Sequence, residues 1–183
     1  MLVGGCMKYL AYLLFRFFAC ILALLPECVS FACGRALAVF VIIVLGVRKH
    51  IILYNLKVCF PDLTADQLKQ RLHAFCRHMG EVVIEVVLLG HYGRRLQDRF
   101  VVQNPEVIQR YLDNGKSVLV WSHHMMNVCY TNFFGSLFSL HAMYKKMSNP
   151  YFERWYFNTL SKTGAHLVGS RDYMRFLAST NMQ

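Results

Sequence analysis

The sequence predicts an α/β domain carried behind an N-terminal apolar helix or hairpin of membrane-anchoring character, and three observations predict it. Hydrophobic residues make up 56% of the 183-residue chain and charged ones only 16%, too apolar a balance for a surface that meets water on every side. The apolar residues concentrate near the N-terminus, in a run from Tyr9 to Leu25 and another from Ala36 to Val47. Past residue 50 the pattern changes to one amphipathic helix and then to short branched runs alternating with helices, as βα units read. The expected division is a membrane anchor over 1–47 and an α/β domain over 48–183.

The first apolar run is interrupted by Arg16 and ended by Pro26-Glu27; about seventeen residues is near the lower limit for crossing a bilayer core. The second is shorter unless it extends back across Arg35 to Cys28. A single span and a hairpin dipping into one leaflet both fit. A cleaved signal peptide fits less well, because hydrophobicity resumes after Pro26 and no small-x-small cleavage site follows the first run. Lys8, Arg16, Arg35, Arg48, Lys49 and Lys57 cluster around these segments, as they would if the following domain stays on the cytoplasmic side.

Thr64-Ala65-Asp66-Gln67 is a capping box that opens a helix with the apolar stripe Leu68, Leu72, Phe75, Met79, Val82, Val83 and Val86. A strand is expected near Phe100–Val102, followed by a helix from Pro105 to Asp113, with Asn104 as N-cap and Gly115 just past its end. Lys116-Ser117-Val118-Leu119-Val120-Trp121-Ser122 reads as a buried parallel strand centred on 117–121. Further strands are expected at His141–Tyr144 and near His166–Val168. Between them a helix runs from Pro150 through Leu160, capped by Asn149, and a last helix starts near Asp172.

The net charge of +10 suits an anionic lipid surface or an acidic carrier protein; no stretch interleaves bases and aromatics as a nucleic-acid motif would. Seven cysteines without a C-x-x-C pair argue against a disulfide framework or a zinc site. His78, Glu81 and Glu85 share a helix face, but with no second ligand-bearing helix they read better as a polar stripe than as a metal site. No metal and no cofactor is expected. His124 follows the 117–121 strand at its carboxyl end, where open α/β sheets place their chemistry. A histidine there is a candidate general base, but such a base ordinarily needs an acid to fix its tautomer and stabilise the imidazolium. The fifth residue after it is Cys129. Lys145 closes a strand and Arg171 sits between a strand and a helix, both suited to anion capture beside the helix start at Asn149-Pro150.

Arg48, Asn55-Leu56, Phe60-Pro61, Gly80-x4-Glu85, Asn104-Pro105-Glu106, Gly115-Lys116-Ser117-Val118, His124, Tyr144-Lys145, Asn149-Pro150-Tyr151 and Gly164-Ala165 with Arg171 occur in an order that resembles the lipid A biosynthesis acyltransferases. These are the lauroyl and myristoyl branch of the lysophospholipid acyltransferase-like superfamily. The resemblance runs from about Lys8 to Ala178, and its N-terminal part, an apolar anchor followed by R-x6-N-L-x3-F-P, is the most specific. It implies an acyltransferase-type α/β sandwich on the cytoplasmic side of a bacterial inner membrane. The activity implied is transfer of a fatty acyl group from acyl carrier protein to a hydroxyl of a lipid A precursor, an anionic glycolipid. In the family's H-x4-(D/E) motif the histidine deprotonates the acceptor and the acid orients it; His124 matches the base, and Cys129 stands at the position of the motif acid. Lys145, Asn149 and Arg171 are the implied substrate-binding residues.

Two departures bear on activity. No Asp or Glu occurs between Asp113 and Glu153, so no nearby carboxylate replaces the missing acid. Family members also continue with further strands and helices, so the resemblance implies a sheet incomplete at its C-terminal side. The rival readings are a catalytically inactive membrane module that binds lipid or a partner, and an acyltransferase whose acceptor is a lysophospholipid or an amino-acid lipid.

Overall fold

The computed structural model describes residues 2–121 and 127–179. Its helices are α1 (Leu2–Leu24), α2 (Glu27–Val39, continued by a π turn over Phe40–Val44), α3 (Lys49–Cys59), α4 (Ala65–Tyr92), α5 (Glu106–Asp113), α6 (Pro150–Ser161) and α7 (Tyr173–Ser179). Two strands, β1 (His141–Tyr144) and β2 (His166–Gly169), and two 3₁₀ stretches, Gly93–Arg99 and Val128–Ser136, complete the order. The chain divides into two compact units, one of residues 17–88 and one of 1–16 with 89–183.

In the 17–88 unit, Pro26 breaks the run between α1 and α2. The fully buried Ser30 then donates its Oγ to the Leu22 carbonyl at 2.6 Å, satisfying an acceptor that the end of α1 leaves open. Helix α4 opens with the expected capping box. Thr64 N donates to Gln67 Oε1 at 2.9 Å, and Gln67 N donates to Thr64 Oγ1 at 3.4 Å. Helices α2 and α4 meet at Gly34 and Gly80, where a Cβ on Gly34 would lie 2.8 Å from the Gly80 carbonyl oxygen. Such backbone proximity is open only to residues with little or no side chain. Beside the crossing, Arg35 and Glu81 form an ion pair at 3.1 Å. The crossing also turns α4 away from the expected stripe: Cys76, Ile84 and Leu88 are buried with Leu72, whereas Val83 is 53% exposed. Burial pushes the Cys76 thiol pKa up, opposed by a backbone hydrogen bond and then by nearby Lys49.

In the other unit, β1 and β2 pair in parallel from His141↔His166 to Tyr144↔Gly169, and α6 forms the crossover between them. Asn149 caps α6 through Oδ1, which accepts from Tyr151 N at 3.0 Å. The first half of α1 lies on α6 through interleaved rings. Tyr9 meets Tyr151 at 5.0 Å, Tyr12 meets Phe152 at 5.8 Å, and Phe15 meets Trp155 at 4.7 Å between centroids.

The expected sandwich is formed only in part: the structure is mostly helical, and among the described residues its sheet is this parallel pair. The strand expected near Phe100–Val102 is absent because Phe100 packs its ring on Phe134, 5.1 Å away, instead of joining a ladder. The strand expected over 117–121 is also absent; Leu119 is 81% and Trp121 90% exposed. A parallel strand needs ladder neighbours and cover on both faces, and this segment has neither among the described residues. Asn104 differs from Asn149 although both precede proline. At φ 57 it is left-handed, whereas side-chain capping requires an extended residue, and the residue at the N-cap of α5 is Pro105.

Candidate active site

His124, the expected base, lies outside the described residues, as does His123. What the structure describes is the turn that follows. Asn127 is 8% exposed and accepts the Cys129 N–H on Oδ1 at 3.0 Å, starting the 3₁₀ stretch. Asn132 Nδ2 donates to the Cys129 carbonyl at 3.0 Å. Behind this stretch Gly135 presses on Gly164, whose φ is +96° and whose added Cβ would stand 2.7 Å from the Gly135 carbonyl oxygen. Position 129 is thus fixed from both ends by side-chain amides, in a stretch whose far end, Gly135, is seated against the residues that enter β2.

Cys129 is 6% exposed, and its Sγ lies 3.5 Å from Tyr156 Oη on α6. Burial is the main force holding the Tyr156 phenol well above its usual pKa, with the thiol contact adding to it. The phenol is therefore neutral near pH 7 and supplies no negative charge to stabilise an imidazolium, and a sulfur is a weaker hydrogen-bond acceptor than a carboxylate. Sequence reasoning missed Tyr156, which comes from a different element. It also missed Asn127, whose buried Nδ2 has no hydrogen-bond partner among the described residues. The signal for Asn127 was present: a polar amide midway between the candidate base and the acid position.

Lys145 and Arg171 follow the carboxyl ends of neighbouring parallel strands, and Ser170 N bonds to Tyr144 O at 2.8 Å across that end. Nearby Lys146 and Arg175 approach Asp172 at 3.5 and 4.0 Å; Lys145 and Arg171 are exposed and pair with no carboxylate among the described residues. Glu153 is occupied as well, accepting from Tyr144 Oη at 2.9 Å and from Met147 N at 2.6 Å. That burial and that carboxylate raise the Tyr144 pKa to about 12. Asn149 uses Oδ1 for the α6 cap and donates Nδ2 to the Lys8 carbonyl at 3.3 Å, so a substrate contact there would compete with two bonds. Glu81 is taken up by Arg35, and no cluster of three metal-ligand side chains occurs among the described residues.

The family model for bacterial lipid A biosynthesis acyltransferases matches residues 6–180. The chain belongs to this family. The match embraces Cys129, the βαβ unit and most of α1. No curated protein and no solved structure matches the chain.

Proposed function

We propose that the protein is a membrane-attached acyltransferase that moves a fatty acyl chain from acyl carrier protein to a hydroxyl of a lipid A precursor, with low turnover in its natural sequence. The family match over 6–180 carries this reading. In the proposed reaction His124 takes the proton of the acceptor hydroxyl, whose oxygen attacks the thioester carbonyl. A C–O ester bond forms, the C–S bond breaks, and the imidazolium returns its proton to the departing thiolate. Lys145 and Arg171 face the anionic acceptor, with Asn149 setting the α6 terminus behind them, and the basic surface suits an acidic carrier. Asn127 Nδ2 is a candidate donor to the carbonyl oxygen as charge develops on it.

Among the described residues two helices are long and apolar enough to cross a membrane, Gly5–Leu24 and Glu27–Val44, with mean hydropathies of 1.7 and 2.0. They support attachment to the bacterial inner membrane, and the surrounding cations support a cytoplasmic catalytic face. The buried thiol–phenol pair at the acid position favours a second reading, a lipid-binding module without turnover. The deciding experiment is thioester-dependent labelling of a lipid A precursor by membranes carrying the natural chain, Cys129→Glu and Cys129→Glu/His124→Ala. Transfer that appears with Cys129→Glu and vanishes in the double variant supports the enzyme; no transfer by any of them supports the inactive module.

A further inference from the structure

Helix α6 has a second face, turned away from Tyr156. Tyr151, Arg154, Trp155 and Lys162 recur on it at helical spacing, and with Tyr12 and Arg16 of α1 they line an open cleft of about 430 Å³. The charges there are of one sign. Among the described residues Arg16 and Arg154 are exposed and make no hydrogen bond or ion pair, and no carboxylate lines the cleft. Glu153, next to Arg154 in sequence, has both oxygens engaged on the other side of α6. Lys162 Nζ donates to the Gly90 carbonyl at 2.6 Å, which leaves further ammonium protons for a ligand. The floor is packed hard: a Cβ on Gly90 would come within 2.7 Å of the Trp155 ring.

The placement of Arg16 adds a second argument. It interrupts the apolar helix α1, where a cation is costly unless it faces polar surroundings or a partner. It lies on the Tyr9/Tyr12 side of that helix, away from Leu10, Leu14, Phe17 and Ile21, whose side chains are 40–61% exposed. Two guanidiniums and an ammonium converge where a phosphate ester offers several acceptor oxygens. The rings of Tyr12, Tyr151 and Trp155 provide amphipathic walls of the kind found at membrane interfaces. We propose that this cleft binds the phosphate of an anionic lipid head group, at a site on the opposite face of α6 from Cys129. The lipid as source rests on the membrane attachment proposed above; the phosphate chemistry does not.

The chain has two tryptophans, so full-length Trp121→Phe protein in a non-ionic detergent leaves Trp155 as the only reporter, inside the cleft. Its emission is followed during titration with dihexanoyl phosphatidylglycerol, dihexanoyl phosphatidylcholine and inorganic phosphate, which needs neither acyl transfer nor a bilayer. The anionic lipid should shift the emission saturably, with half-saturation at least about tenfold below that of the zwitterionic lipid, and more weakly as salt is raised. Arg16→Gln and Arg154→Gln should each weaken it by about tenfold, the worth of a hydrogen bond to a charged group. Equal response to the two lipids overturns the site, and this comparison stands on the unsubstituted cleft even if a variant misfolds. Unchanged affinity in folded variants overturns it too. Inorganic phosphate that binds as tightly as phosphatidylglycerol overturns the lipid as source.

Discussion

The Tyr156 hydroxyl lies 3.5 Å from the Cys129 sulfur, so helix α6 delivers a hydrogen-bonding group to the position proposed for the motif acid. A carboxylate at 129 would find a donor already in place, and without one its burial would be costly. Cys129→Glu is therefore expected to raise acyl transfer by about 10²- to 10⁴-fold, the range that orienting a general base supplies. Tyr156→Phe in that background should remove much of the gain. The measurement is initial rate of thioester-dependent labelling; a gain indifferent to Tyr156 would show that the new carboxylate points elsewhere.

Asn127 performs two tasks that one substitution can separate. Its Oδ1 holds the Cys129 N–H, while its buried Nδ2 has no partner among the described residues. Asn127→Asp keeps the acceptor and deletes the donor. In the Cys129→Glu background it should lower turnover by about 10- to 10³-fold, as loss of one carbonyl-stabilising donor does, while circular dichroism stays unchanged. Full activity would assign Asn127 to the turn alone.

The sequence was most legible where local chemistry decides the outcome. The capping box at Thr64, the Asn149 cap and the strands at 141 and 166 form where residue pattern places them, because each depends on neighbours a few positions away or on one βαβ unit. The segment 117–121 failed for the opposite reason: its branched side chains fit a strand, but a strand exists only with a ladder partner. The buried face of α4 was missed because apolar size was weighed above the small residues Cys76 and Gly80, which let α2 approach. At the site, Cys129 and the strand-end cations are proposed from their positions in a motif. Tyr156 and the α1–α6 aromatic contacts were not legible, since no local pattern couples residues more than a hundred positions apart.

The contact of Gly34 with Gly80 predicts a sharp asymmetry between neighbours. Gly80→Leu would force its side chain into the α2 backbone and should destabilise by about 1–3 kcal/mol or more, as overpacking does. Arg35→Gln breaks a pair whose side chains are 34% and 37% exposed and should cost at most about 1 kcal/mol. Denaturant midpoints in detergent compare the two; equal losses would mean that the ion pair, not the close approach, fixes the crossing.

Alkaline stability should carry the signature of Tyr144. Its folded pKa, raised to about 12 from the ordinary 10.0 by burial and then by Glu153, exceeds the unfolded value. The folded state therefore keeps a proton that the unfolded state releases. Its stabilising contribution is whole below pH 10 and is lost as pH climbs toward 12. Tyr144→Phe should make the fall in denaturant midpoint between pH 9.5 and 11.5 shallower than in the natural chain. Parallel curves for the two proteins would show that this phenol does not control the loss.

Helix α1 presents two different faces, and a pair of variants should separate the membrane hold proposed for one from the packing of the other. Leu10, Leu14 and Phe17 are 56%, 53% and 61% exposed, an apolar face that the described residues leave largely open, of the sort that enters lipid. Tyr12 and Phe15 instead pack on Phe152 and Trp155, contacts worth about 0.5–1.5 kcal/mol each beyond their buried area. The natural chain should stay with membranes through a carbonate wash. Leu10→Gln/Leu14→Gln/Phe17→Gln should release a larger fraction while leaving Trp155 emission as it was. Tyr12→Ala/Phe15→Ala should do the reverse, red-shifting Trp155 and lowering the unfolding midpoint without loosening the membrane hold. Deleting residues 1–47 removes both faces at once, so the remainder should aggregate through Tyr151, Phe152 and Trp155 rather than emerge as a soluble folded domain. Recovery of that remainder as a monodisperse species in detergent-free buffer, with Trp155 still shielded, would show that α6 does not depend on α1.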